Sequence, residues 1–266
     1  RVLRYTRAVP AERIAENLAF INWTVLTGLA TGSFAAVVLA RLRTEATRGY
    51  LAFTAFSAVL IGILAFLSDQ ALPATMGGSA IRIDPAFDLP RRVALASFCL
   101  LAAAYVVALA RNRRAPVVAV AGLGAAGATL TFGALGWAGG MLQAVPLLLQ
   151  LAVLSVATGG VFAAMILGHW YLVTPKLPEA PLILISRVLL WVVALQVALF
   201  VVWVSTGAGP GGGGAFAVLV GPWALFVWLR LIVGLIFPLV VSWAAVQTAR
   251  SRSMESATGL LYINVG

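Results

Sequence analysis

The chain of 266 residues is 62% hydrophobic and only 10% charged, with a mean hydropathy of +1.03. Soluble domains average roughly 45–50% apolar and about 25% charged residues, so a water-soluble fold is excluded and lipid must be the solvent. The formal charge of +10 comes from basic residues that are all arginine except Lys176; they sit in short clusters between apolar runs, which argues against a nucleic-acid partner.

A helix needs about 20 apolar residues to cross the hydrocarbon core, and lipid leaves a spanning segment no choice but helix, because it cannot satisfy a free N–H or C=O. In chain order the first such stretch is 18–40, followed by a connection with Arg41, Arg43 and Arg48. The second is 51–67, after which residues 68–92 (SDQALPATMGGSAIRIDPAFDLPRR) read as an extracytoplasmic loop. The third and fourth, 93–110 and 117–137, are joined through Arg111, Arg113 and Arg114. The fifth, 145–171, and the sixth, 182–205, are joined by the TPKLPEAP turn with Lys176. The glycine-rich TGAGPGGGG loop (206–214) then leads to the seventh, 222–247, with Arg250 and Arg252 behind it. The last tract, SATGLLYINVG (256–266), turns apolar again and reads as the start of an eighth helix.

The expected fold is therefore an all-α integral membrane protein: one transmembrane domain over 1–266, with seven complete helices and the start of an eighth. The four basic segments carrying Arg41, Arg43 and Arg48, Arg111, Arg113 and Arg114, Lys176, and Arg250 and Arg252 fall on one side, which the positive-inside rule assigns to the cytoplasm of a multi-pass protein in the cell's inner (cytoplasmic) membrane. Arg91, Arg92 and the N-terminal Arg1, Arg4, Arg7 and Arg13 count against that orientation. Trp23, Trp137, Trp203 and Trp223 fall at span ends on the opposite side, as an aromatic belt requires. Pro238 lies inside the seventh span, where it should bend the helix and free the carbonyl of Gly234.

Small residues recur every four positions in three helices: Thr24, Gly28, Gly32, Ala36 and Ala40; Ala121, Ala125, Thr129 and Gly133; and Gly160, Ala164 and Gly168. That spacing lets helix backbones approach closely, or leaves a groove for a lipid or cofactor tail.

Chemistry is sparse. Neither nucleophile–base nor metal-ligand spacing occurs, and Cys99, the lone cysteine, has no partner for a disulfide or an iron–sulfur site. Catalysis by this chain unaided is not expected. No acid falls within the spans, so a self-sufficient proton pathway is not expected either. Arg230 lies about 12 Å inside the seventh helix, where an arginine costs roughly 2.5–3.5 kcal/mol and needs a partner. Gln150, Gln196, the Gly234 carbonyl or an anionic group from outside the chain are the candidates.

His169, the single histidine, stands in ILGHWYLVTPKLPEAP (166–181). Haem would need a second ligand from another chain, since Met165 shares the His169 face of the helix. A quinone asks less: His169, Tyr171 and Arg187 for a ring carbonyl, with Trp170 and Trp191 as aromatic walls. The plainer reading makes His-Trp-Tyr an interfacial anchor. Three functions follow: a membrane subunit of a multisubunit assembly, in electron transfer above all, anchoring partner subunits and contributing a quinone site; a carrier or channel for a small neutral or anionic solute; or a structural membrane protein without ligand. Helix count and sparse chemistry resemble those of quinone-reactive anchor subunits of oxidoreductases, a likeness of architecture that carries over no residue.

Overall fold

The computed structural model describes residues 17–73, 82–174, 177–207, 214–251 and 253–264. Arg1, Arg4, Arg7, Arg13, Lys176, Arg252 and most of the glycine loop lie outside the described residues. Seven helices are long and apolar enough to cross a membrane. They are α1 (Leu18–Arg43), α2 (Arg48–Gln70), α3 (Asp88–Ala110, entered through a 3-10 turn at Pro85–Phe87), α4 (Pro116–Trp137), α5 (Met141–Val173), α6 (Ala180–Ser205) and α7 (Ala224–Arg250). An eighth, α8 (Met254–Ile263), packs against α5 and α7. The protein is an all-α polytopic bundle.

The bundle is organised around α1 and α5, the two best-covered helices, with 56% and 61% of their apolar windows buried. Their crossing is set by glycine. A Cβ on Gly32 would stand 1.8 Å from the Ser155 carbonyl oxygen, and one on Gly159 would stand 2.2 Å from the Ser33 nitrogen. The backbones touch, and Ser33 Oγ bridges them by donating to the Gly159 carbonyl at 3.2 Å. The stripe on α5 serves other neighbours as well: Gly160 faces Leu189 of α6, and Gly168 accepts a hydrogen bond from Thr258 of α8 at 3.2 Å. On the other side of α1, Phe34 meets Phe98 and Tyr105 of α3 edge to face, both at 5.6 Å.

Helices α6 and α7 sit at the periphery, with 22% and 17% of their windows buried. Helix α7 is interrupted as Pro238 demands. Proline has no N–H to offer the preceding turn, and its ring displaces the carbonyl four residues earlier. The chain answers with a wider π turn over Ile232–Ile236, which places Gly234 within the widened segment.

Helices α2 and α3 extend further than hydropathy alone indicates. Asp69 belongs to α2 and is fully buried, and Arg91 of α3 is 1% exposed. Arg91 grips Asp69 with two nitrogens, Nε at 2.7 Å and Nη2 at 3.2 Å, and gives Nη1 to Asp88 at 2.9 Å. Arg92 Nε reaches the same Asp69 at 2.9 Å. These charges, set at the ends of the apolar runs, neutralise each other around the buried Asp69–Arg91 pair. Trp23 and Trp137 correct the aromatic-belt expectation: both are buried, in contact at 4.7 Å, with the Arg91 guanidinium 5.1 Å from the Trp137 ring. They wall the ion cluster instead of facing headgroups.

Candidate intramembrane site

His169, Trp170 and Tyr171 are consecutive on α5, so their side chains leave the helix about 100° apart. Each finds a different environment. His169 is exposed, and the Tyr262 hydroxyl of α8 lies 3.2 Å from its Nδ1. Trp170 packs over Gly49 and the Phe53 ring of α2. Tyr171 is buried and donates its hydroxyl hydrogen bond to the Pro178 carbonyl, tying the α5–α6 turn back to α5. Arg187 and Trp191, one turn apart on α6, are both exposed, Trp191 at 72%. His169 thus turns to α8, Trp170 to α2 and Tyr171 to the α5–α6 turn, while Arg187 and Trp191 share one exposed face of α6.

Arg230 projects from α7 toward α6, where its guanidinium lies 5.9 Å from the Phe200 ring and 5.7 Å from the Trp203 ring. These rings stand about 8 and 3 Å below the end of α6, so the side chain reaches outward from its own depth. Aromatic faces attract a cation without neutralising it. Among the described residues Arg230 has no ion pair and no hydrogen bond. Gln150 is exposed on α5 and makes no hydrogen bond to it.

Gln196 is half-buried and lines a half-open cavity of about 440 Å³ where α1, α5, α6 and α7 meet. The walls come from four helices: Val25 and Leu29 of α1, Leu154, Thr158 and Phe162 of α5, Val193 of α6, and Gly234 and Pro238 of α7. Asn264, just past α8, closes one side. Its Nδ2 donates to Ser242 Oγ at 3.0 Å, while its Oδ1 is buried with no partner among the described residues. A second, apolar cavity of about 230 Å³ lies farther along the same α1–α5–α6 seam, lined by Gly32, Ala36, Gly160 and Leu189. A mostly apolar chamber with a few amide groups beside a broken helix is the usual form of a small-ligand site. Hydropathy could not reveal it, since Thr158 and Asn264 are ordinary residues until five elements bring them together. Interior Pro238 and the in-span Gln196 were the signals pointing there.

Among the described residues no group of histidine, cysteine or acidic side chains could hold a metal ion. Fold and site together define a multi-pass helical membrane protein with a half-open apolar cavity between its helices. No family model, no curated protein and no solved structure matches the chain.

Proposed function

We propose that the protein is a membrane-embedded subunit of a larger assembly, and that another subunit docks on its α6–α7 face. The observation carrying this reading is Arg230: a cation within the bilayer zone, held by two aromatic rings and lacking a counter-ion among the described residues, on the least buried pair of helices. Charge complementarity favours as occupant a membrane-spanning helix with a carboxylate at the level of Phe200 and Trp203. Arg230→Gln is expected to lower recovery of the co-purifying subunit roughly tenfold or more in mild detergent, with the amount of the chain itself unchanged. Equal recovery would reduce Arg230 to a snorkelling anchor. An isolated, fully active wild-type chain would end the subunit reading altogether.

In its finer form the assembly transfers electrons, and the mid-membrane chamber takes the quinone. Gln196 supplies a donor for a ring carbonyl, and the free Asn264 Oδ1 accepts from a quinol hydroxyl. The second reading, a carrier for a small neutral solute, draws on the same chamber and on the break in α7, since interrupted helices frame transporter sites. Gln196→Leu separates the two. Loss of quinol turnover by the intact assembly supports the first, loss of solute uptake by the chain alone in liposomes the second, and neither effect leaves the chamber without a ligand.

A further inference from the structure

At the arginine-rich end of the bundle lies a cavity of about 710 Å³ that none of the above employs. It sits where α1 ends and α2 and α4 begin, and Arg41, Arg48 and Arg114 stand around it. None of the three makes an ion pair among the described residues. Glu45 lies on the same rim and leaves a clear positive excess.

Three further features accompany the arginines. Tyr105 is 1% exposed as a residue and contributes to the lining. Thr47 Oγ1 is buried and unpartnered among the described residues. Both helices that start here, α2 after Thr47 and α4 after Ala115, lack a side-chain cap, and α4 opens on Pro116, which has no N–H of its own. Ala115 adopts φ +40°, a left-handed conformation unfavourable for alanine, in the turn that carries Arg114 to the rim. Guanidinium forks, a hydroxyl and helix N-termini are the recognition set for phosphate. One wall is apolar, and its members Leu42 and Val120 are 65% and 63% exposed on the lipid side.

We propose that this cavity binds a phosphate-bearing anion at the membrane surface, recognised by Arg41, Arg48 and Arg114. The apolar wall suits a lipid headgroup with its acyl chains lying along Leu42 and Val120. Free phosphate would use the same arginines without that wall.

The test compares two charge-matched variants of the full chain: Arg41→Gln/Arg48→Gln/Arg114→Gln at the cavity, and Arg43→Gln/Arg111→Gln/Arg113→Gln beside it. Phosphatidylglycerol, phosphatidylcholine and inorganic phosphate are the probes, with bound lipid counted by native mass spectrometry and phosphate by titration calorimetry. The wild type and the second variant should retain phosphatidylglycerol, and the cavity variant should lose affinity roughly tenfold or more, the effect of removing several charge-assisted contacts. Phosphate binding with the same arginine dependence, and no retained lipid, assigns the site to a soluble anion. Equal loss in both variants would mean a diffuse surface charge and overturn the site, as would no loss in either. Should the cavity variant fail to fold, Arg48→Gln/Arg114→Gln, which alters only two exposed side chains, gives the same reading.

Discussion

Gly159→Ala is expected to unfold the bundle in conditions the wild type tolerates, although it adds a single methyl group. The new Cβ would lie 2.2 Å from the Ser33 nitrogen and 2.5 Å from Gly32 Cα, and both are backbone atoms that no rotamer change can move. Helices α1 and α5 would have to separate by about 1 Å to restore normal contact. That separation breaks the Ser33–Gly159 hydrogen bond and opens the seam on which the bundle is assembled. Overpacking in a core costs typically 1–3 kcal/mol, and a backbone-to-backbone clash at the central crossing belongs at about 3 or above. Gly124→Ala and Gly127→Ala are the controls, because nothing lies within 4 Å of a Cβ at either position. Thermal unfolding in detergent, followed by circular dichroism, should show a large loss for Gly159→Ala and none for the controls. A wild-type midpoint for Gly159→Ala would mean that the crossing is not where the helices are held.

Asp69→Ala should be the second severe substitution. It leaves Arg91 buried with only Asp88 for company and takes the partner of Arg92 as well. Breaking a buried pair from one side costs about 3–5 kcal/mol, whereas replacing both members by apolar residues of similar size is often neutral. Asp69→Leu/Arg91→Leu should therefore be more stable than Asp69→Ala, even though it changes more of the protein. Asp88 and Arg92, both partly exposed, can then turn to water. If the double variant is as unstable as the single one, the ion cluster contributes net attraction beyond its own neutrality.

The spans were legible because lipid imposes a crude requirement, apolar length, that the sequence meets without ambiguity. The cluster at Asp69 was illegible for the same reason. Hydropathy reads each charge alone, and Asp69, Arg91 and Arg92 are compatible with helix only as a set. Trp23 and Trp137 were misread through position: a tryptophan near a span end fits a headgroup belt, and only the buried guanidinium beneath it explains another role. The small-residue stripes gave the right kind of contact with the partners undetermined. Gly32, on the α1 stripe, makes the closest approach, and its counterpart Gly159 lies one residue off the α5 stripe, since a tilted crossing need not follow one strict row. His169, Trp170 and Tyr171 drew attention as neighbours in sequence, yet helical rotation sends adjacent residues apart. The mid-membrane chamber, drawn from residues over two hundred positions apart, left almost no trace beyond Pro238 and Gln196.

The pairing at Asp69 bears on biogenesis. With Arg91 and Arg92 matched to Asp69 and Asp88, and with Arg82 and Asp84 close by, the cations and anions described at that face cancel. The opposite face keeps a surplus from Arg41, Arg43, Arg48, Arg111, Arg113, Arg114 and Arg250. Among the described residues this asymmetry disfavours copies inserted upside down or pairing head to tail in one bilayer, which would carry a guanidinium-rich face through hydrocarbon, while Arg1, Arg4, Arg7 and Arg13 outside those residues pull the other way.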